Sequence, residues 1–204
     1  MDAVLLAFAV VFLAELGDKT QLVALGLAAR YPLGVVVVGI GAAYAITQGL
    51  AALLGGALGA ALPTTALGIG GAVVFLAFAV WTAVEALRGE DPSEEVEEEL
   101  ADVEAALSRS GRARSSLAVV GGIVGAMVVA EIGDKSMLAT ATIAAERGAL
   151  GAWIGATLGI TASGGLAVLV GRWLGTRLDP RVTGLLSAAF FALFGVVLLV
   201  ETLA

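Results

Sequence analysis

Two nearly identical polar clusters interrupt apolar stretches of this chain: Glu-Leu-Gly-Asp-Lys-Thr from Glu15 to Thr20, and Glu-Ile-Gly-Asp-Lys-Ser from Glu131 to Ser136. Their carboxylates and hydroxyls, with the nearby Gln21 and Gln48 amides, form a set of hard oxygen donors that suits Ca²⁺, Mg²⁺ or Mn²⁺. Zinc and copper normally recruit nitrogen or sulfur, and the chain has neither histidine nor cysteine. That absence also excludes disulfides, thiolate chemistry and histidine general bases. In a regular helix Glu15, Asp18 and Lys19 share a wedge of ~100°, because positions i+3 and i+4 return to one face; Glu131, Asp134 and Lys135 do the same. Thr20 points away from Glu15 in an unbroken helix, so its participation requires the chain to unwind near Gly17. Opening at Gly17 or Gly133 would also free backbone carbonyls.

One such cluster alone could be only a structural Glu–Lys salt bridge, the lesser of the two readings. Two copies, each with two carboxylates for one lysine, leave a formal excess of −2, which one divalent cation or two protons would balance. Burying an ionised side chain in hydrocarbon costs at least ~2.5–3.5 kcal/mol on insertion scales, so these groups should face the interior of a helix bundle or a water-filled cavity.

The elements that must hold the clusters are membrane spans. With 59% hydrophobic and 14% charged residues and a mean hydropathy of +1.01, a soluble fold would have a mostly apolar surface. Six stretches reach the ~20 residues needed to cross a bilayer: about Val4–Ala29, Leu33–Leu62, Ala66–Leu87, Leu117–Ala145, Leu150–Leu174 and Val182–Leu203. Pro32, Pro63, Pro92 and Pro180 all fall between them, where a missing amide proton does least harm. Met1-Asp2 supplies no basic n-region and the first apolar run is long, so the N-terminus reads as a retained span.

An offset of 116 residues pairs more than the clusters. It matches Gly39 with Gly155, Thr47 with Ser163, Phe75 with Phe191, Phe78 with Phe194 and Glu85 with Glu201. The expected fold is therefore an all-α integral membrane protein of six transmembrane helices built as two three-helix repeats, residues 1–87 and 117–204. An odd number of spans per repeat inverts the second relative to the first, the plan of many secondary transporters. On straight helices Glu15 lies ~16 Å from one face and Glu131 ~21 Å from the other, so both clusters should meet near the midplane. Of the 11 Lys+Arg, eight arginines lie on the side opposite the termini and only Arg147 on the terminal side. The positive-inside rule then sets both termini outside, in the inner (plasma) membrane of a bacterium or archaeon.

The cytoplasmic connector, residues 88–116, carries nine of the 18 acidic residues. Asp91-Pro-Ser-Glu94 resembles a helix start, and Val96, Leu100, Val103 and Leu107 recur on one face. A short amphipathic helix is expected, read foremost as a solvated linker and alternatively as a cation-attracting mouth. Gln21, Thr47, Gln48, Thr161 and Ser163 are candidates for lining a pathway, although such residues more often bond neighbouring helices. Glu85 and Glu201, at span ends, read either as mouth carboxylates or as solvated groups. Trp81, Trp153 and Trp173 read as interfacial anchors. The small residues Gly55–Leu62 suggest close helix packing.

The doubled motif resembles the E-x-G-D-(K/R)-(T/S) signature of the Gdt-type calcium/manganese:proton antiporter family, related to the LysE exporter superfamily. The resemblance covers both halves and the acidic connector. It implies Ca²⁺ or Mn²⁺ export in exchange for protons by alternating access, with Glu15, Asp18, Glu131 and Asp134 as cation ligands. Thr20 and Ser136 would assist, while Lys19 and Lys135 fill the basic position and join the carboxylates in charge balance and proton coupling. The partners would be the cation, protons and the lipid bilayer, with no resident cofactor and no nucleic acid. Two other activities are weaker fits. Export of a small organic solute of the LysE type would need a larger, apolar-lined cavity. An intramembrane aspartyl protease would need a shared-proton aspartate dyad, which a paired lysine disfavours.

Overall fold

The computed structural model describes residues 3–16, 18–88, 93–109, 116–174 and 180–204, and every regular element among them is an α-helix. In chain order these are α1 (Ala3–Ala14), α2 (Lys19–Arg30), α3 (Leu33–Ala61), α4 (Thr64–Arg88), α5 (Ser93–Arg109), α6 (Ser116–Glu131), α7 (Lys135–Arg147), α8 (Ala149–Leu174) and α9 (Pro180–Leu203). Four of them, α3, α4, α8 and α9, are long and apolar enough to cross a membrane, and α6 with α7 makes a fifth if the bent pair is one span.

The two motif-bearing runs, expected as continuous helices, are each divided. Between α6 and α7 the axis turns by 76°. The cause is local. Gly133 has φ +87°, a conformation that only glycine adopts without strain. Asp134 follows in extended backbone, φ −66° and ψ 160°, and its carboxylate accepts the Ser136 N–H at 3.0 Å. This is an N-cap, which satisfies a donor at the new helix start. Asp18 has the same extended backbone, φ −76° and ψ 158°, at the start of α2. Both turns are closed alike, by Asp18 N–H to the Glu15 carbonyl and Asp134 N–H to the Glu131 carbonyl, each 3.2 Å. Gly17, the expected opening point of the first motif, lies outside the described residues.

The boundaries recur at a constant spacing. Lys19 and Lys135, Leu33 and Ala149, and Thr64 and Pro180 begin successive helices 116 residues apart. Contacts recur too: Gly39 faces Ile123 on α6, and Gly155 faces Ala7 on α1. The most extensive pairing is α4 with α9. Gly68 at the start of α4 faces Thr202 at the end of α9, while Gly184 at the start of α9 faces Ala86 at the end of α4, so the two run antiparallel. Phe75 packs against Phe191 and Phe194 at 6.1 and 6.4 Å between ring centroids, and Phe78 against Phe191 at 5.9 Å. Around them α1 packs on α8 and α3 on α6 and α7.

The connector helix α5 is docked rather than solvated along its whole surface. Leu100 and Val103 are buried, and Leu100 fills the space over Gly26 of α2, where no side chain intervenes. Glu104 pairs with Arg30 beside this contact. The expected cap at Asp91 and Pro92 and the side chains of Leu107, Arg109, Arg112, Arg114, Arg172, Trp173 and Arg177 lie outside the described residues. Trp81 is exposed, whereas the Trp153 indole donates to the Ala45 carbonyl at 2.9 Å and ties α8 to α3.

Candidate cation site

The helix breaks turn both motifs inward and bring parts of them together. Glu15 opens the irregular stretch after α1, where burial is nearly complete at 1% exposure. Asp18 and Asp134 stand at the N-termini of α2 and α7, where the aligned peptide dipoles favour negative charge. One oxygen from each of Glu15, Asp18 and Asp134 falls within 4.8 Å of the others. The Lys135 ammonium reaches across from the second motif to Asp18 Oδ1 at 2.7 Å. Glu131 is as deeply buried as Glu15 but is not part of this three-oxygen group. The Lys19 side chain lies outside the described residues.

Unwinding before α2 brings Thr20 back toward the preceding glutamate. Its hydroxyl donates to Glu15 Oε2 at 3.1 Å, while Glu15 Oε1 is buried with no hydrogen-bond partner among the described residues. A buried carboxylate oxygen without a donor is costly unless a proton or a cation satisfies it. Ser136, fully buried, accepts from Gln48 Nε2 at 3.2 Å, and the Gln48 carbonyl accepts from Thr140 at 2.5 Å. Gln21 Nε2 donates to the Glu15 carbonyl and to Ser163 Oγ, both at 2.6 Å, joining α2 to α8. Thr47 is buried and bonds the Tyr44 carbonyl of its own helix at 3.3 Å. The polar side chains around the carboxylates therefore tie one half of the chain to the other.

Glu85 and Glu201 stay apart from this cluster. Both are exposed near the ends of α4 and α9, and Glu201 pairs with Arg147 at 2.7 Å. Two buried residues beside the cluster escaped the sequence reading. Tyr44 lies near Glu131, Glu15 and Thr20, and Thr140 holds Gln48. A signal existed for each: Tyr44 shares a helical face with Thr47 and Gln48, and Thr140 lies one turn beyond Ser136.

The arrangement offers a cation three carboxylates from two chain segments, one buried and two partly exposed, plus an adjacent hydroxyl. Such oxygens suit a hard divalent ion.

The chain matches the family model described as "Divalent cation/proton antiporter GDT1" over residues 3–90 and 110–204. It is 34% identical over 188 residues to the GDT1-like protein sll0615 of Synechocystis, covering 90% of this chain and 89% of that protein. It is 32% identical over 211 residues to the chloroplastic protein PAM71 of Arabidopsis thaliana, covering 96% and 56% respectively. With the chloroplastic GDT1-like protein 1 of Oryza sativa subsp. indica the identity is 30% over 209 residues, covering 96% and 61%. The chain thus spans most of the Synechocystis relative and about six-tenths of these two plant proteins. No solved structure matches it.

Proposed function

Because the chain belongs to the GDT1 family of divalent cation/proton antiporters, we propose that it exports Ca²⁺ or Mn²⁺ in exchange for protons through the cluster around Glu15, Asp18 and Asp134. The family is one of membrane transporters and not an enzyme class. The observation that carries the site assignment is the approach of those three carboxylates to within 4.8 Å, with one Glu15 oxygen left without a donor. Glu131, buried like Glu15, joins the site as a fourth carboxylate, reached through rearrangement around Tyr44. Thr20 and Ser136 serve as auxiliary oxygens, and Gln21, Thr47, Gln48 and Ser163 line the path between the halves.

Coupling follows from charge. Without a cation, close carboxylates in a low-dielectric interior retain protons; a bound dication favours their ionised forms and so releases those protons. Reprotonation from the other side then expels the cation. Residues 1–87 and 117–204 act as inverted repeats that rock about one another, joined by the connector 88–116. The antiparallel packing of α4 on α9 and the 116-residue recurrence of helix starts support this reading.

The experiment is transport by purified protein in liposomes under an imposed pH gradient. Ca²⁺ or Mn²⁺ should accumulate in the compartment of lower pH, with a stoichiometric proton flux in the opposite direction, and collapse of the gradient should abolish accumulation. Cation movement that neither carries protons nor responds to pH would make the protein a channel or uniporter.

The termini lie outside and α5 in the cytoplasm in this proposal, as the arginine asymmetry requires. Single cysteines at Ala3 and Ser108 test it on intact cells. An impermeant maleimide should label Ala3→Cys and spare Ser108→Cys; the opposite pattern would reverse the orientation.

A further inference from the structure

We propose that Lys135 is the specificity-determining residue that excludes monovalent cations, by acting as a tethered cation that only a divalent ion displaces from Asp18. The inference rests on the reading of the cluster as a divalent-cation site. Its starting point is geometric: Nζ of Lys135 lies 2.7 Å from Asp18 Oδ1, and Asp18 supplies one of the three oxygens that gather within 4.8 Å. An ion that takes Asp18 as a ligand must therefore remove the ammonium or share its oxygen.

The comparison of competitors is then one of charge and tethering. Na⁺ or K⁺ arriving at Asp18 exchanges one unit charge for another, so the cluster gains nothing, while Lys135 loses its partner in a site where its side chain is only 16% exposed. An unpaired ammonium there is strongly disfavoured. The tether adds to this, because a group held beside its partner competes at an effective concentration of millimolar or more without being supplied from solution. A divalent ion differs in kind. It brings a second charge, which compensates Glu15 and Asp134 as they give up their protons, and the gain offsets the displacement of Lys135.

Position reinforces the role. Lys135 is the first residue of α7, and Asp18 stands at the N-cap position of α2, so the competing charge is delivered by one half of the chain to the other. A salt bridge kept only to fix the fold would serve whichever ions were present. A lysine that shields a ligand oxygen makes the nature of the ion decide whether the bridge opens.

Two measurements test this. In the first, equilibrium binding of ⁴⁵Ca²⁺ and ⁵⁴Mn²⁺ to purified full-length protein is compared in 0.1 M Na⁺ and in 0.1 M N-methylglucamine, so that ionic strength is equal. The unmodified protein and Lys135→Arg should bind within about twofold of the same affinity in both media, whereas Lys135→Gln should bind more tightly in N-methylglucamine and lose about tenfold or more in Na⁺. Lys135→Gln that folds and binds without sensitivity to Na⁺ would overturn the proposal.

The second needs no substitution at Lys135 and so stands even if Lys135→Gln does not fold. The chain contains only two lysines, Lys19 and Lys135, so ¹⁵N-lysine labelling gives two Nζ resonances, assigned with Lys19→Arg. Saturating Ca²⁺ should shift the Lys135 resonance and 0.1 M Na⁺ should not; a Lys135 resonance unmoved by bound Ca²⁺ would overturn the proposal. Absence of any Ca²⁺ or Mn²⁺ binding to the unmodified protein would instead remove the site reading itself, and this inference with it.

Discussion

Asp18→Asn and Asp134→Asn should each stop cation and proton movement together in proteoliposomes, lowering the rate by about 100-fold or more, beyond the 10–100-fold typical of groups that merely support a metal ligand. The substitution is a clean one for this fold. Both residues occupy N-cap positions, though only Asp134 makes a side-chain cap bond, and asparagine suits that position as well as aspartate, so α2 and α7 keep their starting points while one charge disappears. The two variants should nevertheless differ in stability. Asp18→Asn removes the partner of Lys135, leaving a largely buried ammonium without its counter-ion, which costs about 3–5 kcal/mol. Asp134→Asn removes no ion pair recorded among the described residues and should unfold closer to the parent temperature. Adding Lys135→Gln to Asp18→Asn should therefore recover stability without recovering transport. Loss of cation flux with proton flux intact in either aspartate variant would separate the two pathways and end the shared-site mechanism.

A second large effect is expected outside the carboxylate cluster, at Gly55 and Gly59. A Cβ at Gly55 would lie 2.0 Å from the Ala141 carbonyl oxygen, and one at Gly59 would lie 2.3 Å from that of Ala145. Both obstacles are backbone of α7, which cannot swing aside as a flexible side chain does. Gly55→Ala should therefore cost about 1–3 kcal/mol, and Gly55→Leu more. The second substitution should prevent recovery of monodisperse protein, because α7 would be forced away from α3 and would take Asp134, Ser136 and Thr140 with it. Gly41, on the same helix, has open space where its Cβ would be. Gly41→Ala should then change thermal stability by no more than about 0.5 kcal/mol. Size-exclusion profiles and thermal melts of the three variants make the comparison. Equal behaviour of Gly55→Leu and Gly41→Ala would mean that the close approach of α3 to α7 does not hold.

The chemistry of this chain was more legible in its sequence than the path of its backbone. Carboxylates stand out in an apolar run, and the repeated motif named a family that the comparison with known proteins also gives. Hydropathy, by contrast, averages over the very place where the helix stops. Val4–Ala29 stays apolar on both sides of Glu15 and so reads as one span, although α1 and α2 are only 12 residues each. The restart was encoded in Asp-Lys-Thr and Asp-Lys-Ser as a helix N-terminus, a signal masked by attention to the same aspartates as charges. Once the chain unwinds there, Thr20 meets Glu15, which a straight helix forbids. Burial of Leu100 was not legible for a different reason. An amphipathic stripe states that α5 needs an apolar neighbour but not which one, and the seat at Gly26 is distinguished only by a missing side chain.

The pairing of α4 with α9 has a consequence for how such a chain could arise. Gly68 meets Thr202 and Gly184 meets Ala86, positions that exchange when each number is shifted by 116, while Phe75 meets Phe191, its own counterpart. Reciprocal contacts of this kind, in which i touches j and j touches i, define the isologous interface of a two-fold dimer. The seam between α4 and α9 therefore follows the reciprocal pattern that joining two copies of one antiparallel-pairing helix would leave.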